Sequence, residues 1–126
     1  MEPKILIADD EPTMRALLRA TLDGRGVELF EAADGATALA LAQHARPDLL
    51  FLDWMMPGLS GVEVCRRLRA QPETAGLTIV ILTARAQEAD RQEALAAGAD
   101  DYVTKPFSPL ALLEKVRATL GARAVS

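Results

Sequence analysis

Carboxylates stand directly after two apolar runs of the sequence, and their number and placement could support chemistry. Asp9 and Asp10 follow the run at 5–8, and the run at 49–52 ends on Asp53. Gathered in one crevice, three carboxylates would repel one another and raise each other's pKa unless a cation compensated them. Mg²⁺ takes oxygen ligands and binds through a few carboxylates together with a phosphate. These residues therefore predict a magnesium site.

A hydroxyl and an ammonium group end two further strand-like runs. Thr83 follows the apolar run at 78–82, and Lys105 follows the short run at 101–104. With Asp53 as the nucleophile, such a site could form an acyl phosphate while the metal and the lysine stabilise charge on the phosphoryl oxygens. The sequence shows no dedicated general base for substrate turnover. We therefore expect a protein that carries a phosphoryl group itself, not an enzyme that turns over a separate substrate.

Five strand-like runs alternate with five helical patterns, which predicts a parallel sheet with helices on both faces. The runs at 5–8, 49–52 and 79–82 are apolar enough to be buried on both faces, so they should be central. The weaker strands at 27–32 and 101–104 should lie at the edges. Right-handed crossovers then favour a doubly wound, flavodoxin-like (βα)5 three-layer sandwich with strand order 2-1-3-4-5. In this order, the predicted acids converge at the switch point between strands one and three.

Size and charge exclude several classes of protein. The chain has 126 residues, which suits one domain, and its net charge of −4 argues against sequence-independent binding to nucleic acid. It has no apolar run of about 18 residues and no secretory leader pattern, so we expect neither a membrane span nor export. The single cysteine, Cys65, favours a reducing cytoplasm.

Several separated motifs carry a family resemblance that extends over residues 4 to 120. They are Asp9-Asp10, Asp53-x-x-Met56-Pro57-x-x-x-Gly61, Thr83-Ala84 and Lys105-Pro106-Phe107. In order and spacing they closely resemble the receiver domain of bacterial two-component response regulators. The resemblance implies that residues 1–126 form one receiver domain that takes part in phosphorelay signal transduction.

The resemblance also implies roles for individual residues. Asp53 would be phosphorylated from a sensor histidine kinase or a phosphotransfer protein. Mg²⁺ would be held by Asp10, Asp53 and the backbone carbonyl of Met55, with Asp9 acting partly through water. Thr83 and Lys105 would contact the phosphoryl oxygens, and the Lys105-Pro106 peptide bond would be cis, a geometry that proline allows.

A conformational switch is implied as well. Thr83 would move toward the phosphoryl group, and Tyr102 would enter the space that it leaves. The face formed by helix 4, strand 5 and helix 5 would then be read by a downstream effector protein or an output domain. Ala96 and Ala111 stand where the winged-helix branch of the family places carboxylates, which counts against that branch's symmetric dimer. Whether the receiver stands alone or belongs to a multidomain regulator stays open.

Two other classes of protein share parts of this pattern. A small Mg²⁺-dependent phosphatase with an aspartyl phosphate generally carries a second acid two residues after its nucleophile, where this chain has Met55. A flavin-binding module would need a hydroxyl- and glycine-rich phosphate loop after strand one, where Asp-Asp-Glu-Pro stands instead. We expect Trp54, beside the acceptor, to be a rim residue and a natural fluorescence reporter.

Overall fold

The computed structural model of the chain describes residues 2–121. Its elements alternate between strand and helix along the whole of this range: β1 (Lys4–Ala8), α1 (Pro12–Leu22), β2 (Glu28–Ala32), α2 (Gly35–Ala45), β3 (Leu49–Asp53), α3 (Gly61–Arg69), β4 (Thr78–Thr83), α4 (Glu88–Ala96), β5 (Asp101–Thr104) and α5 (Pro109–Leu120). The strands form one parallel sheet in the order β2-β1-β3-β4-β5. The predicted fold class, strand order and edge strands are therefore confirmed.

Two apolar cores lie on opposite faces of the sheet, because successive side chains of a strand point to opposite sides. Ile5, Ile7 and Phe51 face one core, which α1 and α5 cover. Leu6 and Leu52 face the other, which α2, α3 and α4 cover. All five residues of β3 are buried. The central strands are thus packed on both faces, which also fixes the backbone of the polar residues at their carboxyl ends.

The helices differ in how firmly they are held. Asp34, Ser60 and Ser108 cap α2, α3 and α5 by accepting a hydrogen bond from a backbone N–H of the first turn. Helix α4 has no such side-chain cap, and only Ala94 among its residues is fully buried. Within residues 2–121, α4 is therefore anchored less firmly than α2, α3 and α5.

Close backbone approach explains the glycine at the start of α3. A Cβ on Gly61 would lie 2.2 Å from the carbonyl oxygen of Asp53 and 3.0 Å from the Cα of Trp54. The amide of Gly61 also donates a hydrogen bond to the carbonyl of Trp54 at 2.8 Å. Because backbone atoms form this contact, no side-chain rotation can relieve a clash. Gly61 thus allows α3 to start directly against the end of β3.

We expect Gly61→Ala to lower the free energy of unfolding by about 1–3 kcal/mol, the usual range for overpacking. Urea denaturation at pH 7 would measure the loss. Gly76→Ala is the matched control, because nothing lies within 4 Å of its added Cβ. That control should change stability by less than about 0.5 kcal/mol. Equal effects of the two substitutions would show that the approach to Asp53 imposes no packing constraint.

Candidate functional site

The carboxyl ends of four strands bring the predicted site residues together. Asp9 follows β1, Asp53 ends β3, Thr83 ends β4 and Lys105 follows β5. Asp9, Asp53 and Thr83 are buried, and Asp53 exposes only 5 % of its surface. A cavity of about 250 Å³ opens beside Asp53; its lining comprises Glu11, Asp53, Met55, Thr83, Ala84, Arg85 and Lys105. This is the edge at which open α/β sheets bind their ligands.

Lys105 connects the two buried carboxylates. Its Nζ lies 2.8 Å from Oδ2 of Asp9, 3.3 Å from Oδ2 of Asp53 and 3.5 Å from Oε1 of Glu11. The Lys105-Pro106 peptide bond is cis, as expected. Although Lys105 follows the edge strand β5, its ammonium group lies against the carboxylates at the carboxyl ends of β1 and β3.

Four acids lie close enough together to share one ion. Carboxylate oxygens of Asp9, Asp10, Glu11 and Asp53 all lie within 4.8 Å of one another. Glu11 was not predicted as a site residue, although it directly continues the acidic pair after β1. Asp10 and Glu11 are exposed, whereas Asp9 and Asp53 are buried. The cluster thus has a buried wall and a face open to solvent.

The proton affinity of Asp53 reflects this crowding. Burial, together with the negative charge of Asp9, raises the pKa of Asp53 from 3.8 to about 6, although Lys105 opposes the change. Burial alone would lower the pKa of Lys105, but its hydrogen bond to Asp9 and the charges of Asp53 and Asp9 raise it overall. At neutral pH the site therefore holds an ionised Asp53 beside a protonated Lys105.

Neighbouring backbone groups hold the loops around the cavity. The amide of Met55 donates to Oδ1 of Asp53 at 3.4 Å, and the amide of Arg85 donates to Oγ1 of Thr83 at 3.3 Å. On the other side, Nη1 of Arg15 donates to the carbonyl of Asp9 at 2.7 Å. The side chains of Asp53 and Thr83 are consequently tied to the loops that follow their strands, and the backbone at Asp9 is tied to α1.

An aromatic pair contacts Arg85, one of the residues that line the cavity. Trp54 and Tyr102 are both buried and pack edge to face with ring centroids 6.3 Å apart. The Tyr102 hydroxyl donates a hydrogen bond to the carbonyl of Arg85. The expectation that Trp54 is a rim residue is wrong, because its indole packs against Tyr102 and exposes only 4 % of its surface. The burial of Tyr102 itself is compatible with the predicted switch position.

Comparison with known proteins decides the family. The family model described as the response regulator receiver domain matches residues 5–117. This chain belongs to the response regulator receiver domain family. It is 50 % identical over 120 residues to the phosphate regulon transcriptional regulatory protein PhoB of Rhizobium meliloti, covering 95 % of this chain and 53 % of that protein. It is a receiver of two-component signalling, with a phosphoacceptor role and not a metabolic one.

Solved receiver structures share this architecture. The chemotaxis protein CheY4 of Vibrio cholerae superposes with a TM-score of 0.88 at 35 % identity, covering 94 % of this chain and 99 % of that chain. The receiver domain of DrrB, solved in a form activated by BeF3, gives a TM-score of 0.85 at 29 % identity, covering 95 % of this chain and 98 % of that chain.

The extent of the match bounds what can be transferred to this receiver. The chain spans about half the length of the curated relatives it matches, 53 % for PhoB of Rhizobium meliloti and 51 % for the DNA-binding response regulator MtrA of Mycolicibacterium smegmatis. Between residues 2 and 121, the receiver has no helix that is both long and apolar enough to cross a membrane. Family membership thus identifies this chain as a receiver domain, whereas the output and the partners of the receiver are not identified by it.

Proposed function

We propose that Asp53 is the phosphoacceptor of this receiver and takes its phosphoryl group from a sensor histidine kinase or a phosphotransfer protein. One observation carries the proposal: Asp53 is a buried carboxylate at the wall of a cavity that Thr83 and Lys105 also line. The other buried acid, Asp9, instead lies 2.8 Å from the Lys105 ammonium and is not among the residues of that cavity. A reducing cytoplasm, the proposed setting, suits the free Cys65 thiol.

The donor set around Asp53 suits Mg²⁺. Carboxylate oxygens within 4.8 Å of one another, with no histidine or cysteine among them, match a hard cation better than a soft one. Asp9, Asp10 and Asp53, with the backbone carbonyl of Met55, would hold the ion, and Glu11 is near enough to assist. When bound, Mg²⁺ would neutralise the crowded acids and stabilise charge on the phosphoryl oxygens.

In the proposed transfer, a carboxylate oxygen of Asp53 attacks the phosphorus of a phosphohistidine. A phosphorus–oxygen bond forms while the phosphorus–nitrogen bond breaks, and its electron pair returns to the imidazole nitrogen. The Lys105 ammonium and the Thr83 hydroxyl would donate hydrogen bonds to the phosphoryl oxygens. Hydrolysis of the same acyl phosphate would reset the domain, so the domain would catalyse only its own phosphorylation and dephosphorylation.

The proposed switch couples Thr83 to Tyr102. Contacts that only the phosphorylated state can make would bias an existing equilibrium between two arrangements of this pair. The face of α4, β5 and α5 would change with them and be read by an effector protein or an output domain. With a net charge of −4, the receiver itself is not proposed to bind nucleic acid directly.

Phosphoryl uptake tests the assignment. With acetyl phosphate and Mg²⁺, intact-mass spectrometry should show one added phosphoryl group on the wild-type chain, and Trp54 emission should change. Asp53→Asn should abolish both responses, because it removes the nucleophilic oxygen. Asp48→Asn is the matched control: Asp48 lies at the opposite end of β3, where it accepts a hydrogen bond from the amide of Lys4. Undiminished uptake by Asp53→Asn would refute the proposal.

A further inference from the structure

The guanidinium of Arg85 lies between the proposed phosphoacceptor site and α4. Its Nη2 and Nε lie 2.8 and 3.1 Å from Oδ1 of Asp90, in the first turn of α4. Its carbon Cζ lies 4.3 Å from the centre of the Trp54 ring, within the range of a cation–π contact. Arg85 also lines the cavity beside Asp53. The side chain thus has one anionic partner and stands beside the place where a second anion would form.

The backbone of Arg85 is hydrogen-bonded at both its amide and its carbonyl, whereas its side chain is partly exposed. The amide donates to the Thr83 hydroxyl oxygen at 3.3 Å, and the carbonyl accepts from the Tyr102 hydroxyl. The Arg85 side chain is 41 % exposed, and its one carboxylate contact is with Oδ1 of Asp90. Its other contacts, with the Trp54 ring and with Sδ of Met55 at 3.9 Å, are weaker. Because Arg85 already lines the cavity, a change in its side-chain torsions is the movement by which the guanidinium would approach a phosphoryl group on Asp53.

Asp90 also joins α4 to the rest of the domain through its ion pair with Arg85. Within residues 2–121, its ion pair with Arg85 is the one that joins a side chain of α4 to a residue outside that helix. The helix also lacks a side-chain N-cap. Loss of the Arg85–Asp90 pair would consequently loosen the first turn of α4 more than its carboxyl end.

We propose that Arg85 exchanges Asp90 for the phosphoryl group when Asp53 is modified, and thereby releases the first turn of α4. This inference rests on the proposed function. A phosphoryl group carries nearly two negative charges and several acceptor oxygens, and guanidinium groups bind such anions with two parallel hydrogen bonds. A single carboxylate oxygen is the weaker competitor. Arg85 is thus a second phosphoryl-binding cation, whose guanidinium contacts Asp90 and Trp54 until Asp53 is modified.

The affinity for beryllium fluoride in the presence of Mg²⁺, read from Trp54 emission, tests the exchange. Asp90→Asn should tighten binding about two- to fivefold, because a partly exposed ion pair no longer competes for Arg85. Arg85→Ala should weaken binding, and in that background Asp90→Asn should have no effect, since the two residues act through one contact. Amides of the first turn of α4 should exchange hydrogen faster in Asp90→Asn, and in the wild type once the ligand is bound.

Glu88→Gln is the matched control, since it removes the same charge from the same helical turn. In the wild type, Glu88 accepts a hydrogen bond from Gln92 and does not contact Arg85. An equal effect of Glu88→Gln and Asp90→Asn, or an Asp90→Asn effect that persists without Arg85, would overturn the exchange. These results are distinct from failure of the proposed function. In that case the wild type would not bind beryllium fluoride, or Asp53→Asn would bind it equally well, and the exchange would fail too.

Discussion

Asp53→Asn should make the metal-free domain more stable at pH 7 by about 3 kcal/mol, although it removes the proposed phosphoacceptor. Burial and the charge of Asp9 raise the pKa of Asp53 to about 6 in the folded state, against an ordinary value of 3.8 in the unfolded chain. A tenfold difference in proton affinity corresponds to about 1.4 kcal/mol, so ionised Asp53 opposes folding by roughly 3 kcal/mol. The uncharged asparagine would not carry that cost.

The pH dependence of this gain has a definite sign. Below pH 3.8 Asp53 is protonated in both states and costs nothing. As the pH rises toward 6, the unfolded chain ionises first and the wild type loses stability. Above pH 6 the cost is constant, so the advantage of Asp53→Asn should grow between about pH 4 and 6 and then level off. Urea denaturation in chelator across this range would measure it. A gain that is independent of pH would contradict the electrostatic origin.

Lys105→Met should have the opposite effect and lower the stability of the metal-free domain by about 3 kcal/mol at pH 8. The substitution keeps most of the apolar stem but leaves the carboxylates of Asp9 and Asp53, at 2.8 and 3.3 Å from the lost Nζ, without their cation. Removing one partner of a buried ion pair is costly because the other charge remains buried. The loss should shrink at pH 5, where Asp53 is protonated, and in the background of Asp53→Asn.

Lys115→Met is the control for the lysine substitution. Lys115 pairs with Asp101 at the surface, where its side chain is 35 % exposed. An exposed pair of this kind contributes at most about 1 kcal/mol. A similar loss from both variants would indicate that charge balance around Asp53 contributes nothing particular to stability. Thermal unfolding at pH 5 and pH 8 would distinguish these outcomes.

Much of the site could be predicted from the sequence because it depends on topology. Each of the apolar runs that precede Asp9, Asp53 and Thr83 is typical of a strand buried on both faces. The handedness of crossovers then brings their carboxyl ends to one edge. Lys105 follows by the same reasoning from its place after the last strand. These residues are positioned by the backbone, which hydrophobic pattern and chain direction largely determine.

Features that depend on side-chain packing could not be predicted in the same way. The position of Arg69 on α3 predicts a solvated arginine, but its guanidinium donates to the carbonyl of Gly98 at 2.9 Å and pairs with Asp100 at 2.7 Å. Trp54 is buried for a similar reason, since Tyr102 from β5 packs against it. Such contacts join elements distant in the chain, and no local pattern encodes them.

The shallow seating of α4 has a consequence for how such domains diversify. Ala94 is the single fully buried residue of α4, so most other residues of the helix can be substituted with little loss of stability. The acids at the strand ends have no such freedom, because two cores fix their backbone. On the proposed readout through α4, substitutions in this helix would create a surface for a new recipient while the site residues stay the same, and an engineer could use this route to build an insulated pathway.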